Sequence, residues 1–173
     1  MAVTVLLGGA RSGKSALALR RARALGAPVV FVATGEALDE EMEERIGRHR
    51  AERDEGWSTV EAPLDLAAAL RKAPAEACTI VDCLSFWVAN LIQNGHGEED
   101  VVGLAREGAD LASGRAGPTI AVSNEVGMGI VPEFELGRRY RDALGRVNAI
   151  WAERAAEAFL VVAGRSLALE VAR

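Results

Sequence analysis

Lysine, histidine and cysteine are all scarce in this 173-residue sequence, with two of each: Lys14 and Lys72, His49 and His96, Cys78 and Cys83. Two cysteines without nearby histidines do not make a zinc site. Both fall in or beside an apolar run and read as reduced core thiols of an intracellular protein. No apolar run approaches the ~20 residues that span a bilayer. The first strand pattern begins at Val3 with no basic leader before it, so neither a membrane span nor a signal peptide is expected. The expected location is the cytoplasm. A basic surface is missing as well. The 25 acidic and 20 basic residues leave a net charge of −5, which argues against a nucleic-acid coat and a membrane-surface protein. Repeats and low-complexity segments do not occur. Half of the residues are hydrophobic and 26% are charged. That is ordinary globular composition, and residues 1–173 suffice for one domain with one substantial core.

Against this background Lys14 is conspicuous, and it stands in the stretch Gly8-Gly9-Ala10-Arg11-Ser12-Gly13-Lys14-Ser15. An apolar run, Val3 to Leu7, precedes it, and a good helix former, Ala16 to Leu25, follows. Strand, glycine loop and helix in that order fit a phosphate-binding loop, spacing included. Gly8 and Gly13 let the backbone curl so that N–H groups point at phosphate oxygens. The helix start offers unpaired N–H groups and a positive dipole end to the same anion. Lys14 adds a point charge for the outer phosphates, and the Ser15 hydroxyl is placed to ligate Mg²⁺.

Further short β-branched runs suit strands buried on both faces, as a parallel sheet requires. Val29 to Ala33 runs into Thr34-Gly35; Cys78 to Val81 ends in Asp82; Thr119 to Ser123 leads to a glycine-bearing loop, Asn124 to Pro132. A weaker strand pattern covers Gly56 to Glu61. Asp82 at a strand end is where an acid helps to hold Mg²⁺, though an acid there also suits a helix cap. The Asn124 loop carries an amide and a carboxylate, as loops that position ligands do and as many plain connections do. Helical patterns cover Leu38 to Arg53, Leu64 to Lys72, Leu84 to Ile92, Glu98 to Leu111 and Glu133 to Ala156. Phe86 and Trp87 suit core or subunit contact. In the polar helix from Leu38 to Arg53, Leu38, Met42 and Ile46 form a stripe that His49 continues. Arg45 and Arg53 lie four residues either side of His49, and spacing alone leaves it open between a structural and a catalytic role. At the end, Phe159 to Ala163 and Leu167 to Leu169 flank a Gly164-Arg165 turn, an antiparallel hairpin at one sheet edge. The expected fold is α/β: a phosphate-loop NTPase (RecA-like), with a mostly parallel sheet and helices on both faces.

These residues together resemble the bifunctional adenosylcobinamide kinase / adenosylcobinamide-phosphate guanylyltransferase family of cobalamin biosynthesis, over nearly the whole chain. The matching stretches are Gly8 to Ser15, Ala33-Thr34, Asp39 to Met42 through Arg45-Ile46 to His49, Trp57, Glu61, Asp82-Cys83-Leu84, Asn124 to Pro132 and Gly145-Arg146-Val147-Asn148. Ser85 stands where a threonine is often found, and Asp82 where some relatives carry glutamate.

The resemblance implies two reactions. ATP or GTP would phosphorylate the aminopropanol arm of adenosylcobinamide. GMP from GTP would then pass to that phosphate through a covalent guanylyl-histidine, giving adenosylcobinamide-GDP and pyrophosphate. His49 matches the histidine, and Lys14 is the other catalytic residue. The nucleotide site would comprise Gly8, Gly9, Ala10, Arg11, Ser12, Gly13, Lys14, Ser15, Ala33, Thr34, Gly35, Arg50, Ala51, Glu52, Arg53, Glu61 and Asp82, with Ser15 and Asp82 serving Mg²⁺. The partners implied are the corrinoid substrates and copies of the same chain in a homo-oligomer, a trimer by resemblance. Competing expectations are a phosphate-loop kinase of another small metabolite and a non-enzymatic nucleotide switch.

Overall fold

The computed structural model describes residues 2–36, 40, 44, 47, 50–51 and 53–172. The helix expected from Leu38 to Arg53 falls largely outside them. Seven strands lie in one sheet: β1 (Val3–Gly8), β2 (Val29–Ala33), β3 (Ser58–Glu61), β4 (Cys78–Asp82), β5 (Thr119–Asn124), β6 (Glu157–Val162) and β7 (Arg165–Leu169). Their order across the sheet is β3-β2-β4-β5-β1-β6-β7. Every neighbouring pair is parallel except β6 and β7, which run antiparallel. The helices are α1 (Lys14–Leu25), α2 (Leu66–Lys72), α3 (Leu84–Gln93), α4 (Glu98–Gly114) and α5 (Glu135–Arg154).

Alternation along the strands divides the apolar side chains between two cores. Leu6, Phe31, Ile80, Ile120 and Val122 pack against Ala18, Leu19 and Ala22 of α1. Val3, Val5, Val32, Val81 and Ala121 pack on the other face against Leu66, Leu84, Trp87, Leu144 and Trp151 of α2, α3 and α5. Burial on both faces explains why these strands appear as unbroken apolar runs. Trp87 is fully buried, and its Nε1 donates to the Leu64 carbonyl at 2.7 Å. It is therefore a core residue and not the subunit contact that was the alternative expectation. No helix of the described residues is long and apolar enough to cross a membrane.

The closing hairpin differs by one residue from expectation. Val162 pairs with Arg165, so the turn is Ala163-Gly164 and not Gly164-Arg165. Both turn residues have positive φ, 49° at Ala163 and 74° at Gly164, the combination a type I′ hairpin turn requires. Only the glycine advertises that conformation in sequence. Strand pairing imposes it on the alanine.

Candidate active site

The phosphate loop leaves β1 in the middle of the sheet and enters α1. Gly13 caps α1 with φ 98° and no side-chain cap hydrogen bond. The first N–H groups of the helix are thereby left for an anion. At Gly8 a Cβ would lie 2.2 Å from the Val161 carbonyl oxygen of β6, so only glycine allows this approach. The Ser12 N–H donates to the Gly9 carbonyl at 3.4 Å, closing the loop, while the Gly164 N–H of the β6–β7 turn donates to the Ser12 carbonyl at 2.8 Å. Lys14 Nζ is folded over the loop and donates to the Gly9 carbonyl at 2.7 Å. Its charge is held where the outer phosphates of a nucleotide would arrive.

The carboxyl ends of β2, β4 and β5 open beside this loop, as parallel α/β sheets arrange their ligand crevices. One cleft is lined by Lys14, Ser15, Ala33, Gly35, Arg50, Arg53, Glu61 and Asp82, all expected from sequence. Phe31, Cys83, Phe86, Val122 and Asn124 complete it. Cys83, not Asp82, is the N-cap residue of α3, and it makes no side-chain cap hydrogen bond. Asp82 and Ser15 line the same cleft. One carboxylate, one hydroxyl and substrate phosphates are a donor set that suits Mg²⁺. Among the described residues no group of three or more His, Cys, Asp or Glu could hold a metal alone.

Two arginines form the far wall. Arg50 Nη2 donates to Glu61 Oε1 at 2.6 Å. The Arg53 guanidinium lies 3.8 Å from the centre of the Phe31 ring, and its Nη1 donates to Thr59 Oγ1 at 2.9 Å. Burial, with Arg50 alongside, lowers the Arg53 pKa, against the pull of Asp82 and Glu61. Its Nε is buried and has no hydrogen-bond partner among the described residues. A partly desolvated cation of this kind interacts strongly with an incoming phosphate.

The remaining expected residues are distributed unevenly. Gly9, Ala10, Arg11 and Ser12 belong to the loop itself. Thr34 is fully buried, and its Oγ1 donates to the Cys83 carbonyl at 2.7 Å and accepts the Cys83 N–H at 2.8 Å. It joins the end of β2 to the start of α3 and turns no group toward the cleft. Ala51 lines an adjoining groove with Asp54, Trp57 and Thr59. His49 and Glu52 lie outside the described residues. Sequence reasoning gave no nucleotide role to Phe31, Phe86 or Asn124. The available signal for Asn124 was its place at the end of a buried strand. Cys83 lies at the cleft, but burial, then Asp82, pushes its thiol up to about 11. At neutral pH it is a poor nucleophile.

A family described as cobinamide kinase / cobinamide phosphate guanyltransferase matches residues 4–169. A bifunctional adenosylcobalamin biosynthesis protein of Pseudomonas aeruginosa is 43% identical over 172 residues, covering 96% of each chain. Its counterpart in Escherichia coli K12 is 38% identical over 177 residues, covering 92% of this chain and 95% of that one. Among solved structures, an ATPase of a bacterial type III secretion system superposes with a TM-score of 0.61 at 9% identity. That match takes in 96% of this chain and 56% of the ATPase, and it shows a shared fold. With the phosphate loop, the acid-ended strand and the arginine wall in one cleft, the chain belongs to the cobinamide kinase / cobinamide phosphate guanyltransferase family.

Proposed function

We propose that this chain phosphorylates the hydroxyl of the aminopropanol arm of adenosylcobinamide, using ATP or GTP. It then transfers GMP from GTP to that phosphate, releasing pyrophosphate. The observation that carries this reading is the meeting of Lys14, Ser15, Asp82, Arg50 and Arg53 in one cleft. The first three are the parts of a phosphoryl-transfer site. The two arginines add positive charge that a phosphate or a pyrophosphate leaving group can use.

In the kinase step, the phosphate loop and Lys14 fix the triphosphate and stabilise charge on the transferring group. Ser15 and Asp82 would hold Mg²⁺, which, when bound, neutralises the phosphate oxygens. In the guanylyl step, an imidazole nitrogen of His49 attacks the α-phosphorus of GTP. The bond to the α,β-bridging oxygen breaks, and pyrophosphate leaves with that electron pair. A phosphate oxygen of adenosylcobinamide phosphate then attacks the same phosphorus, and the P–N electron pair returns to the imidazole. Splitting the transfer lowers each barrier. Arg50 follows His49 in sequence and lines the cleft, which supports a task for both guanidinium groups against the leaving pyrophosphate. The protonated Cys83 supports the same choice of nucleophile, since it leaves no competent thiolate at the cleft.

The test of the first reaction offers adenosylcobinamide and γ-labelled ATP or GTP. Label passes to the corrinoid with wild type, and Lys14→Ala lowers the rate by at least about 100-fold, the scale of removing one charge-stabilising group. Wild type that binds the nucleotide yet leaves the corrinoid unlabelled contradicts the kinase half.

A further inference from the structure

The strand order gives one more residue a place in the chemistry. β5 lies between β1, which delivers the phosphate loop, and β4, which delivers Asp82. Its last residue, Asn124, pairs with Gly8 across the ladder. Asn124 is therefore held between the loop and the acid, and it lines the cleft with Lys14, Ser15 and Asp82. Its backbone is fixed from two directions. The Asn148 side-chain amide of α5 donates to the Asn124 carbonyl at 3.0 Å, and the Glu125 N–H donates to the Gly8 carbonyl at 3.0 Å.

The neighbouring carboxylate is committed elsewhere. Glu125 Oε1 accepts the N–H groups of Gly127 and Met128, folding the carboxylate back onto its own loop. The Asn124 side chain, by contrast, has no hydrogen-bond partner among the described residues. An amide is suited to this place: it donates two hydrogen bonds, accepts others and brings no charge against phosphate.

We propose that Asn124 is a further catalytic residue of the phosphoryl-transfer step, its side-chain N–H donating to an oxygen of the transferring γ-phosphoryl group. This rests on the kinase reading above. The substrate hydroxyl oxygen bonds to the γ-phosphorus as the bond to the β,γ-bridging oxygen breaks. The nucleoside diphosphate leaves with that electron pair, and the hydroxyl proton passes to water. Asn124 exchanges no proton; it stabilises charge on the equatorial oxygens, where the gain is largest in the transition state.

Asn124→Ala and the near-isosteric Asn124→Asp test this, because both retain the backbone bonds from Asn148 and Glu125. The expected result is a fall in kcat for adenosylcobinamide phosphorylation of about 100-fold in Asn124→Ala, and more in Asn124→Asp, where a carboxylate faces phosphate. ADP affinity and thermal unfolding stay close to wild type. A separate titration compares ADP alone with ADP plus aluminium fluoride, which imitates the transferring group. In wild type the fluoride tightens ADP binding, and in both variants most of that tightening is lost. If both variants retain wild-type kcat, or gain the full fluoride effect, the assignment is overturned. If wild type fails to phosphorylate the corrinoid, the kinase reading fails, and the fluoride titration still decides the place of Asn124.

Discussion

At the scale of single residues, the cleft separates side chains that serve its surface from those that build its frame. Thr34 directly follows β2, and Asp82 ends β4 beside it. Thr34 spends its hydroxyl on both backbone groups of Cys83, while Asp82 reaches the cleft. Residue type and position alone do not make that distinction, because it depends on which partner lies 49 residues away. The two thiols allow a direct check. Burial pushes both Cys78 and Cys83 up to about 11. In the native protein at pH 8 both are expected to resist iodoacetamide for hours, and in urea both react within minutes. Rapid native alkylation of Cys83, read by mass spectrometry, contradicts the protonated thiol and reopens it as a nucleophile.

At the scale of elements, the phosphate loop is supported from the far side by the β6–β7 hairpin. Val161 closes on Gly8, and Gly164 bonds Ser12. Gly8→Ala puts a methyl carbon against the Val161 carbonyl and should destabilise the fold by ~1–3 kcal/mol, the range of overpacking. Nucleotide affinity should fall with it, because the loop must shift. Urea unfolding and nucleotide titration measure the two effects, and an unchanged pair contradicts the contact. Much of this layout was legible beforehand. Buried parallel strands announce themselves as apolar runs, and Gly8 to Ser15, Gly35, Asp82 and Asn124 lie at their carboxyl ends. The hairpin turn was less legible, since Ala163 takes a positive φ only because Val162 pairs with Arg165. Phe31 looked like an ordinary core residue, and Phe86 like a core or subunit-contact residue. Their place at the cleft comes from tertiary structure, because β2 pairs with β4 and the end of β4 leads directly into α3.

At the scale of the whole molecule, acidic charge and a buried titratable interior shape the response to pH. Cys78 and Cys83 are raised to about 11 from 9.0, and Tyr140 to about 12 from 10.0, mainly by burial. For a group raised in the folded state, its contribution is complete below the unfolded pKa and is lost as pH rises through the folded one. Stability should therefore decline between about pH 9 and pH 12, as read by denaturant midpoints. A flat midpoint across that window contradicts the buried titrations.

The central claim is that one chain carries two phosphorus chemistries, with His49 as the covalent carrier of GMP. Incubation with GTP labelled at the α-phosphate, followed by denaturation, tests it most directly. Wild type should retain label that is labile in acid and stable in alkali, as a phosphoramidate is, and His49→Ala should retain none. Unlabelled wild type, or a labelled His49→Ala, would contradict the account.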